Sequence, residues 1–118
     1  MMWLSWYKVY DFMRHGSQPQ EVNSVRTVDV EGKRISLAYD GTHYFALADR
    51  CPHAGARFGA GGWCDKGLLV CPVHRYKYEL KNGKGIQGDF IETYKTEIRH
   101  DGVYVGLPRN GKWWWPFS

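Results

Sequence analysis

Four side chains in the middle of the chain could bind a metal. Two irregular segments read Cys51-Pro52-His53 and Cys71-Pro72-Val73-His74, and seventeen residues separate His53 from Cys71. Each segment offers one thiol and one imidazole, which are ligands that iron and zinc both accept. The proline beside each cysteine fixes a backbone φ angle and stiffens the segment. The spacing therefore predicts a metal centre built from two loops.

The order of the ligands favours one kind of metal centre. Zinc sites of mixed composition usually place like ligands close together, as C-x₂₋₄-C and H-x₃₋₅-H. In this chain each cysteine is instead close to a histidine. A two-iron cluster fits this mixture, because one iron can take both thiolates and the other both imidazoles. A structural zinc site remains the alternative at this point.

The double motif resembles the Rieske [2Fe–2S] signature, which is C-x-H followed after a spacer by C-x-x-H. The resemblance covers roughly residues 6 to 107. It implies a Rieske-type [2Fe–2S] cluster as cofactor, with four ligands: Cys51, His53, Cys71 and His74. Three further segments are similar to strands of the family: Trp6-Tyr7-Lys8-Val9, Tyr44-Phe45-Ala46-Leu47 and Gly102-Val103-Tyr104-Val105.

Within the family, the sequence is most similar to the disulfide-lacking bacterial ferredoxin type. Ala56 and Val73 stand where respiratory and photosynthetic members carry two disulfide-bonded cysteines. Arg75 stands where a glycine is frequent. Of two hydroxyl positions that donate hydrogen bonds to sulfur in high-potential members, the serine is replaced by Tyr76 and the tyrosine is retained as Tyr78. The resemblance implies a potential in the lower or middle part of the family range of about −150 to +300 mV.

Alternating residues and tight turns predict an all-β fold around these loops. Residues 25–30 alternate apolar and polar side chains, and Ile35, Leu37 and Tyr39 recur at period two. Turns are expected at Glu31-Gly32-Lys33 and Asp40-Gly41, and residues 43–48 are expected to form the returning strand. Further strands are expected over 6–12, 68–70, 76–80, 93–99 and 103–107, whereas 51–64 is expected to be loop. The resemblance makes this a Rieske-type antiparallel β-sandwich with an inserted cluster-binding subdomain.

Length and composition limit the organisation of the chain. The 118 residues support a single Rieske domain over 1–118, with a cluster-binding subdomain at about 50–80 and a Trp-rich tail at 108–118. No stretch approaches the roughly 18 apolar residues of a membrane span, and no signal peptide is expected. Three cysteines are too few for a disulfide framework, which favours the cytoplasm. A net charge of +4 without a block of like charges does not indicate nucleic-acid binding.

The resemblance implies a function in electron transfer. We expect a monomeric one-electron carrier, not an enzyme, that serves as the ferredoxin of a multicomponent, dioxygenase-type system. Its redox partners would be a flavin reductase as donor and a terminal oxygenase or other reductase as acceptor. Two alternatives remain: the small Rieske-like subunit of an assimilatory nitrite reductase, and a zinc-binding interaction module.

Several other residues are given ordinary structural roles. Cys64 is expected to be a buried thiol outside the metal site. The Trp-rich tail is expected to cover the core, with a docking patch as its alternative. His15, His43 and His100 are expected at the surface or in turns. Four basic residues in or near the ligand loops are expected to be solvated charges, with steering of an acidic redox partner as the alternative: Arg57, Lys66, Arg75 and Lys77.

Overall fold

The fold is built from short antiparallel strands. The computed structural model describes residues 3–14, 19–52 and 55–108, and none of these residues is helical. The strands are β1 (Leu4–Asp11), β2 (Ser24–Val30), β3 (Lys33–Tyr39), β4 (Tyr44–Ala48), β5 (Trp63–Asp65), β6 (Leu68–Val70), β7 (Lys77–Glu79), β8 (Thr93–Arg99) and β9 (Gly102–Pro108). The all-β prediction is therefore confirmed.

All strands join one antiparallel sheet with the order β1-β9-β8-β4-β3-β2-β5-β6-β7. The sheet folds over itself, because side chains of β1 and β9 contact those of β2, β3 and β4. One buried cluster combines Ile35 and Ala46 with Val105 and Leu107. This two-layered base forms one end of the molecule, and the short strands β5–β7 extend it at the other end.

Of the two turns predicted from the sequence, one forms a tight hairpin turn and the other does not. At the β2–β3 turn, Glu31 and Gly32 have φ angles of 52° and 79°, as a two-residue hairpin turn requires. The β3–β4 connection is instead a four-residue loop, residues 40–43. The Asp40 carboxylate accepts the backbone N–H groups of Thr42 and His43 at 2.8 and 2.7 Å. A side-chain cap therefore replaces the predicted tight turn.

The structure also contains a strand that the alternation did not predict. β5 lies within the segment expected to be loop, and it pairs with β6 through Cys64↔Leu69 and with β2 through Ser24↔Trp63. The β5–β6 hairpin lies in the chain between the Cys51 and Cys71 motifs, and β6 ends directly before Cys71. The loops are thereby attached to the sheet of the base.

Three predicted features fall outside the described residues. They are His15, His53 and the Trp-rich tail beyond Pro108. His43 and His100 are exposed, as expected. Among the described residues, no helix is long and apolar enough to cross a membrane.

Candidate metal centre

The two cysteine-containing loops have the same backbone hydrogen bond. We define loop 1 as residues 51–56 and loop 2 as residues 71–76. The N–H of Cys51 donates to the carbonyl of Ala56 at 2.8 Å, and the N–H of Cys71 donates to the carbonyl of Tyr76, also at 2.8 Å. Each cysteine thus begins a loop that closes on itself five residues later. By residue number, the histidine of each motif falls between the two residues that this hydrogen bond joins.

The structure brings the two predicted cysteine ligands together. The side chains of Cys51 and Cys71 are both fully buried, and neither forms a disulfide. Burial raises the pKa of the Cys71 thiol, and hydrogen bonding with the Cys51 thiol raises it further. Because a thiol must lose its proton to bind a metal, a cation placed between two adjacent buried sulfurs would supply the charge that ionises both.

The predicted histidine ligands are placed differently. His74 is exposed at the tip of loop 2, where its φ of 61° turns the chain back toward β7. His53 lies outside the described residues. Over 3–14, 19–52 and 55–108, no three His, Cys, Asp or Glu side chains group as a single-ion site. Buried thiols and a separate exposed imidazole match a two-iron centre, in which the two ligand types bind different irons.

Arg75 occupies a backbone conformation that favours glycine. Its φ is 57°, directly after the 61° of His74. A side chain in this left-handed region costs about 1–2 kcal/mol. Arg75 therefore holds, at a conformational cost, a backbone conformation that suits the glycine frequent at this position. It also adds an exposed positive charge beside His74.

The glycines that follow loop 1 allow close packing of the chain. A Cβ atom on Gly59 would collide with the side chain and backbone of Thr27 in β2, and one on Gly62 would collide with the carbonyls of Phe58 and Val70. A Cβ atom on Gly61 would make ordinary contact with Pro72 of loop 2, at 3.5 Å. Gly59 and Gly62 therefore allow close approach to neighbouring backbone.

Asp49 was not predicted as part of the site, yet it anchors the segment after loop 1. The residue is 3% exposed. One carboxylate oxygen accepts the N–H of Gly59 at 2.9 Å and the other accepts the hydroxyl of Thr27 at 2.7 Å. The only sequence signal was a carboxylate directly after a strand and two residues before the first cysteine ligand.

Tyr78 lies directly beneath the paired thiols. Its ring is fully buried and meets the ring of Phe58 edge-on, with 5.6 Å between centroids. Its hydroxyl oxygen lies 3.5 Å from the sulfur of Cys51 and 2.9 Å from a carboxylate oxygen of Asp89. Burial raises the pKa of Tyr78 far above its usual value, and Cys51 and Asp89 raise it further. The hydroxyl therefore keeps its proton, and the predicted contact with cluster sulfur is geometrically possible.

The sulfur of Cys64 has a different hydrogen-bond partner from the sulfurs of Cys51 and Cys71. It is 3% exposed in β5, and its sulfur contacts the carbonyl of Ser24 at 3.9 Å. Burial raises the pKa of this thiol to about 11, and the charge of Asp40 contributes to the same shift. The expectation that Cys64 is a buried thiol is confirmed by this position.

Comparison with known proteins identifies the family. A family model described as the Rieske [2Fe-2S] domain matches residues 6–96. The chain belongs to this family. Its cofactor is accordingly a Rieske-type [2Fe–2S] cluster, and the paired buried thiols described above fit such a group.

One curated relative is a ferredoxin of an oxygenase system. The 3-phenylpropionate/cinnamic acid dioxygenase ferredoxin subunit of Escherichia coli strain K12 is 30% identical over 77 residues, which are 63% of this chain and 73% of that protein.

Solved structures of the same fold include proteins of similar length and longer ones. The ferredoxin of carbazole 1,9a-dioxygenase from Nocardioides aromaticivorans IC177 has a TM-score of 0.72 at 16% identity, covering 89% of this chain and 99% of that one. A putative NADH-dependent nitrite reductase small subunit from Mycobacterium tuberculosis has a TM-score of 0.74 at 15% identity, covering 89% and 96%. Against the QL mutant of NdmA from Pseudomonas putida CBB5, at 19% identity and a TM-score of 0.71, the match covers 85% of this chain and 32% of that chain. This chain thus spans about a third of the length of NdmA.

Proposed function

We propose that this chain is the ferredoxin component of a multicomponent, dioxygenase-type oxygenase. It would accept one electron from a flavin reductase and deliver it to a terminal oxygenase. Membership in the Rieske family and 30% identity to a dioxygenase ferredoxin subunit support this role. The observation that carries it is the pair of buried thiols, Cys51 and Cys71, under a loop whose histidine is exposed.

The proposed ligands divide between the two irons. Cys51 and Cys71 would hold the buried iron, and His53 and His74 would hold the outer one. The bound cluster supplies one-electron redox chemistry. The protein contributes the exclusion of water from the thiols, which are fully buried, and the exposure of His74 to a partner.

The remaining features of the proposal describe a small mobile carrier. We propose a single Rieske domain over 1–118 that acts as a cytoplasmic monomer and carries out no bond chemistry on a substrate itself. The curated relative is named as a ferredoxin subunit, which supports a carrier rather than an enzyme.

Positive charge near the exposed histidine suits an acidic partner. Arg57 and Arg75 are exposed, and Arg75 is adjacent to His74. Opposite charges on two redox proteins accelerate their encounter, and added salt screens this effect. We therefore expect the rate of electron transfer to fall as ionic strength rises.

Purified holoprotein tests the cofactor and the role together. The expected product contains two irons and two acid-labile sulfides per chain, and after reduction it gives a Rieske-type paramagnetic signal. It should also carry electrons from a flavin reductase to a dioxygenase terminal component. Stoichiometric zinc without labile sulfide would overturn the cofactor. Electron delivery to a nitrite reductase large subunit, but not to an oxygenase, would favour the alternative assignment.

A pair of cysteine variants tests the proposed ligands. Cys71→Ala should abolish cluster binding, because it removes one of the two thiolates. Cys64→Ala is the matched control, since Cys64 is equally buried but lies in β5. This control should retain the full iron and sulfide content. Cluster loss from Cys64→Ala alone would contradict the ligand set.

A further inference from the structure

The hydroxyl group of Tyr78 has two possible acceptors. The sulfur of Cys51 lies 3.5 Å from its oxygen, and a carboxylate oxygen of Asp89 lies 2.9 Å away. A phenol has one O–H proton to donate. When Cys51 is a metal-bound thiolate it has no proton of its own, so that sulfur can only accept. The single tyrosine proton can therefore serve the sulfur or the carboxylate at a given moment.

The chemistry of the two acceptors favours the carboxylate. A hydroxyl–carboxylate hydrogen bond is charge-assisted and is roughly twice as strong as a neutral one. The Asp89 contact falls within the ordinary range for O–H···O bonds, and the Cys51 contact, at 3.5 Å, is within reach of the larger sulfur atom, which is a weaker acceptor. The structure accordingly places the proton of Tyr78 toward Asp89.

The loop that carries Asp89 is fixed against the strand that carries Tyr78. The N–H of Ile86 donates to the carbonyl of Lys77 in β7 at 3.0 Å, and the N–H of Gly85 donates to the carbonyl of Asp89 at 2.6 Å. The other carboxylate oxygen of Asp89 accepts the side-chain amide of Gln87 at 2.6 Å. A Cβ atom on Gly85 would collide with the Asp89 carboxylate. The position of Asp89 is thus set by its own loop as well as by Tyr78.

We propose that Asp89 is a positioning residue that turns the Tyr78 hydroxyl away from the Cys51 sulfur and thereby lowers the reduction potential of the cluster. The proposal rests on Cys51 being a cluster ligand. Hydrogen bonds to cluster sulfur stabilise the more negative, reduced state and raise the potential. A donor that is diverted to a carboxylate loses this effect. Retention of the family tyrosine at position 78 therefore does not by itself give a high potential.

A double-mutant cycle on the reduction potential tests this proposal. The four holoproteins are wild type, Asp89→Ala, Tyr78→Phe and the double variant. Asp89→Ala should make reduction of the cluster roughly tenfold more favourable, so that the reduction potential rises by about 59 mV for a one-electron couple. Tyr78→Phe should change the potential little in the wild type but lower it clearly in the Asp89→Ala background. This non-additivity is the decisive signature.

Removal of a nearby negative charge also raises a potential, and the cycle separates the two effects. The charge effect persists when Tyr78 is phenylalanine, whereas the effect through the hydroxyl disappears. Glu79→Gln is the matched control, because Glu79 is an exposed carboxylate adjacent to Tyr78 whose side chain accepts from Asn82. Glu79→Gln should shift the potential equally whether residue 78 is tyrosine or phenylalanine.

Two results would overturn the proposal. One is additivity in the cycle, in which Tyr78→Phe lowers the potential as much in the wild type as in the Asp89→Ala background. The other is an unchanged or lowered potential in Asp89→Ala. If Asp89→Ala lost the cluster, Asp89→Asn would decide by the same criteria, since it keeps the shape and weakens the acceptor. Iron and sulfide content is measured in every variant. A loaded cluster with additive shifts refutes this inference alone, whereas an unloaded wild type refutes the proposed function.

Discussion

The carboxylate of Asp49 and the backbone N–H of Gly59 are joined by a 2.9 Å hydrogen bond across loop 1. The two residues stand on either side of Cys51, so the bond closes the segment that carries the first ligand motif. Because Asp49 also accepts the hydroxyl of Thr27, the closed segment is attached to β2. One buried side chain thus attaches the segment that follows loop 1 to the base of the fold.

We predict that Asp49→Ala destabilises the holoprotein. The substitution leaves the N–H of Gly59 and the hydroxyl of Thr27 without their acceptor, at a cost of about 3 kcal/mol. The temperature at which the visible absorbance of the cluster is lost should fall by roughly 10 °C. Asp29→Ala is the control, because the Asp29 side chain is 74% exposed, and it should change this temperature little. Equal effects of the two substitutions would contradict the role given to Asp49.

Gly59→Ala should be strongly destabilising for a steric reason. The added methyl group would lie 2.6 Å from the backbone nitrogen of Thr27, and backbone cannot rotate aside as a side chain can. We expect a loss of about 3 kcal/mol in the free energy of unfolding, together with a lower cluster content after expression.

Gly67→Ala provides the comparison for this variant. Gly67 has a φ of 83° and nothing within 4 Å of its added Cβ, so only the backbone preference is lost. That loss is about 1 kcal/mol. A cost for Gly67→Ala as large as that for Gly59→Ala would show that close contact with Thr27 is unimportant.

Arg75→Gly should stabilise the protein. The φ of 57° at Arg75 suits glycine, and relief of this conformation contributes about 1 kcal/mol. Arg57→Gly removes the same charge from another exposed site without a positive φ, and it should destabilise by about 0.5–1 kcal/mol through chain entropy. Thermal loss of the cluster absorbance measures both variants. Stabilisation by both substitutions would indicate relief of charge repulsion instead.

The Cys64 thiol predicts a dependence of stability on alkaline pH. Burial raises its pKa in the folded chain to about 11, whereas the ordinary value is 9.0. Between these values the unfolded thiol ionises and the folded thiol does not, so ionisation favours unfolding. The free energy of unfolding should therefore fall as pH rises from 9 to 11, by roughly 1–2 kcal/mol from this group.

Comparison with Cys64→Ala isolates this contribution. Lysine and tyrosine titrations occur in both proteins and cancel in the difference between their stability curves. The alanine variant should show the shallower decline over this interval, as followed by chemical denaturation at each pH. Parallel curves for the two proteins would disprove the raised pKa.

The base of the fold could be predicted from the sequence because its strands are long and alternate. In β2 and β3, seven residues each pair in an unbroken register from Ser24↔Tyr39 to Val30↔Lys33. The thiol pair was likewise predictable, because Cys51 and Cys71 belong to short motifs with a fixed order. These features are local in sequence, and local patterns indicate them directly.

The missed features depend on contacts between distant residues. β5 has three residues, too few to show an alternation, and it is fixed by its pairing with β2 and β6. The partners of Asp49 lie ten and 22 residues away, at Gly59 and Thr27. Asp89 reaches Tyr78 from eleven residues away. Neither sequence periodicity nor a short motif indicates contacts between such distant residues.

The pairing of β1 with β9 has a consequence for the use of this fold in larger polypeptides. Leu4 and Pro108 are register partners, so the chain enters and leaves the sheet at neighbouring points. A sheet that the chain enters and leaves at neighbouring points can be inserted into a longer sequence without disrupting its strands. A tether attached directly before Leu4 or directly after Pro108 would start at the same edge of the sheet, which limits the directions from which a covalently fused redox partner can approach.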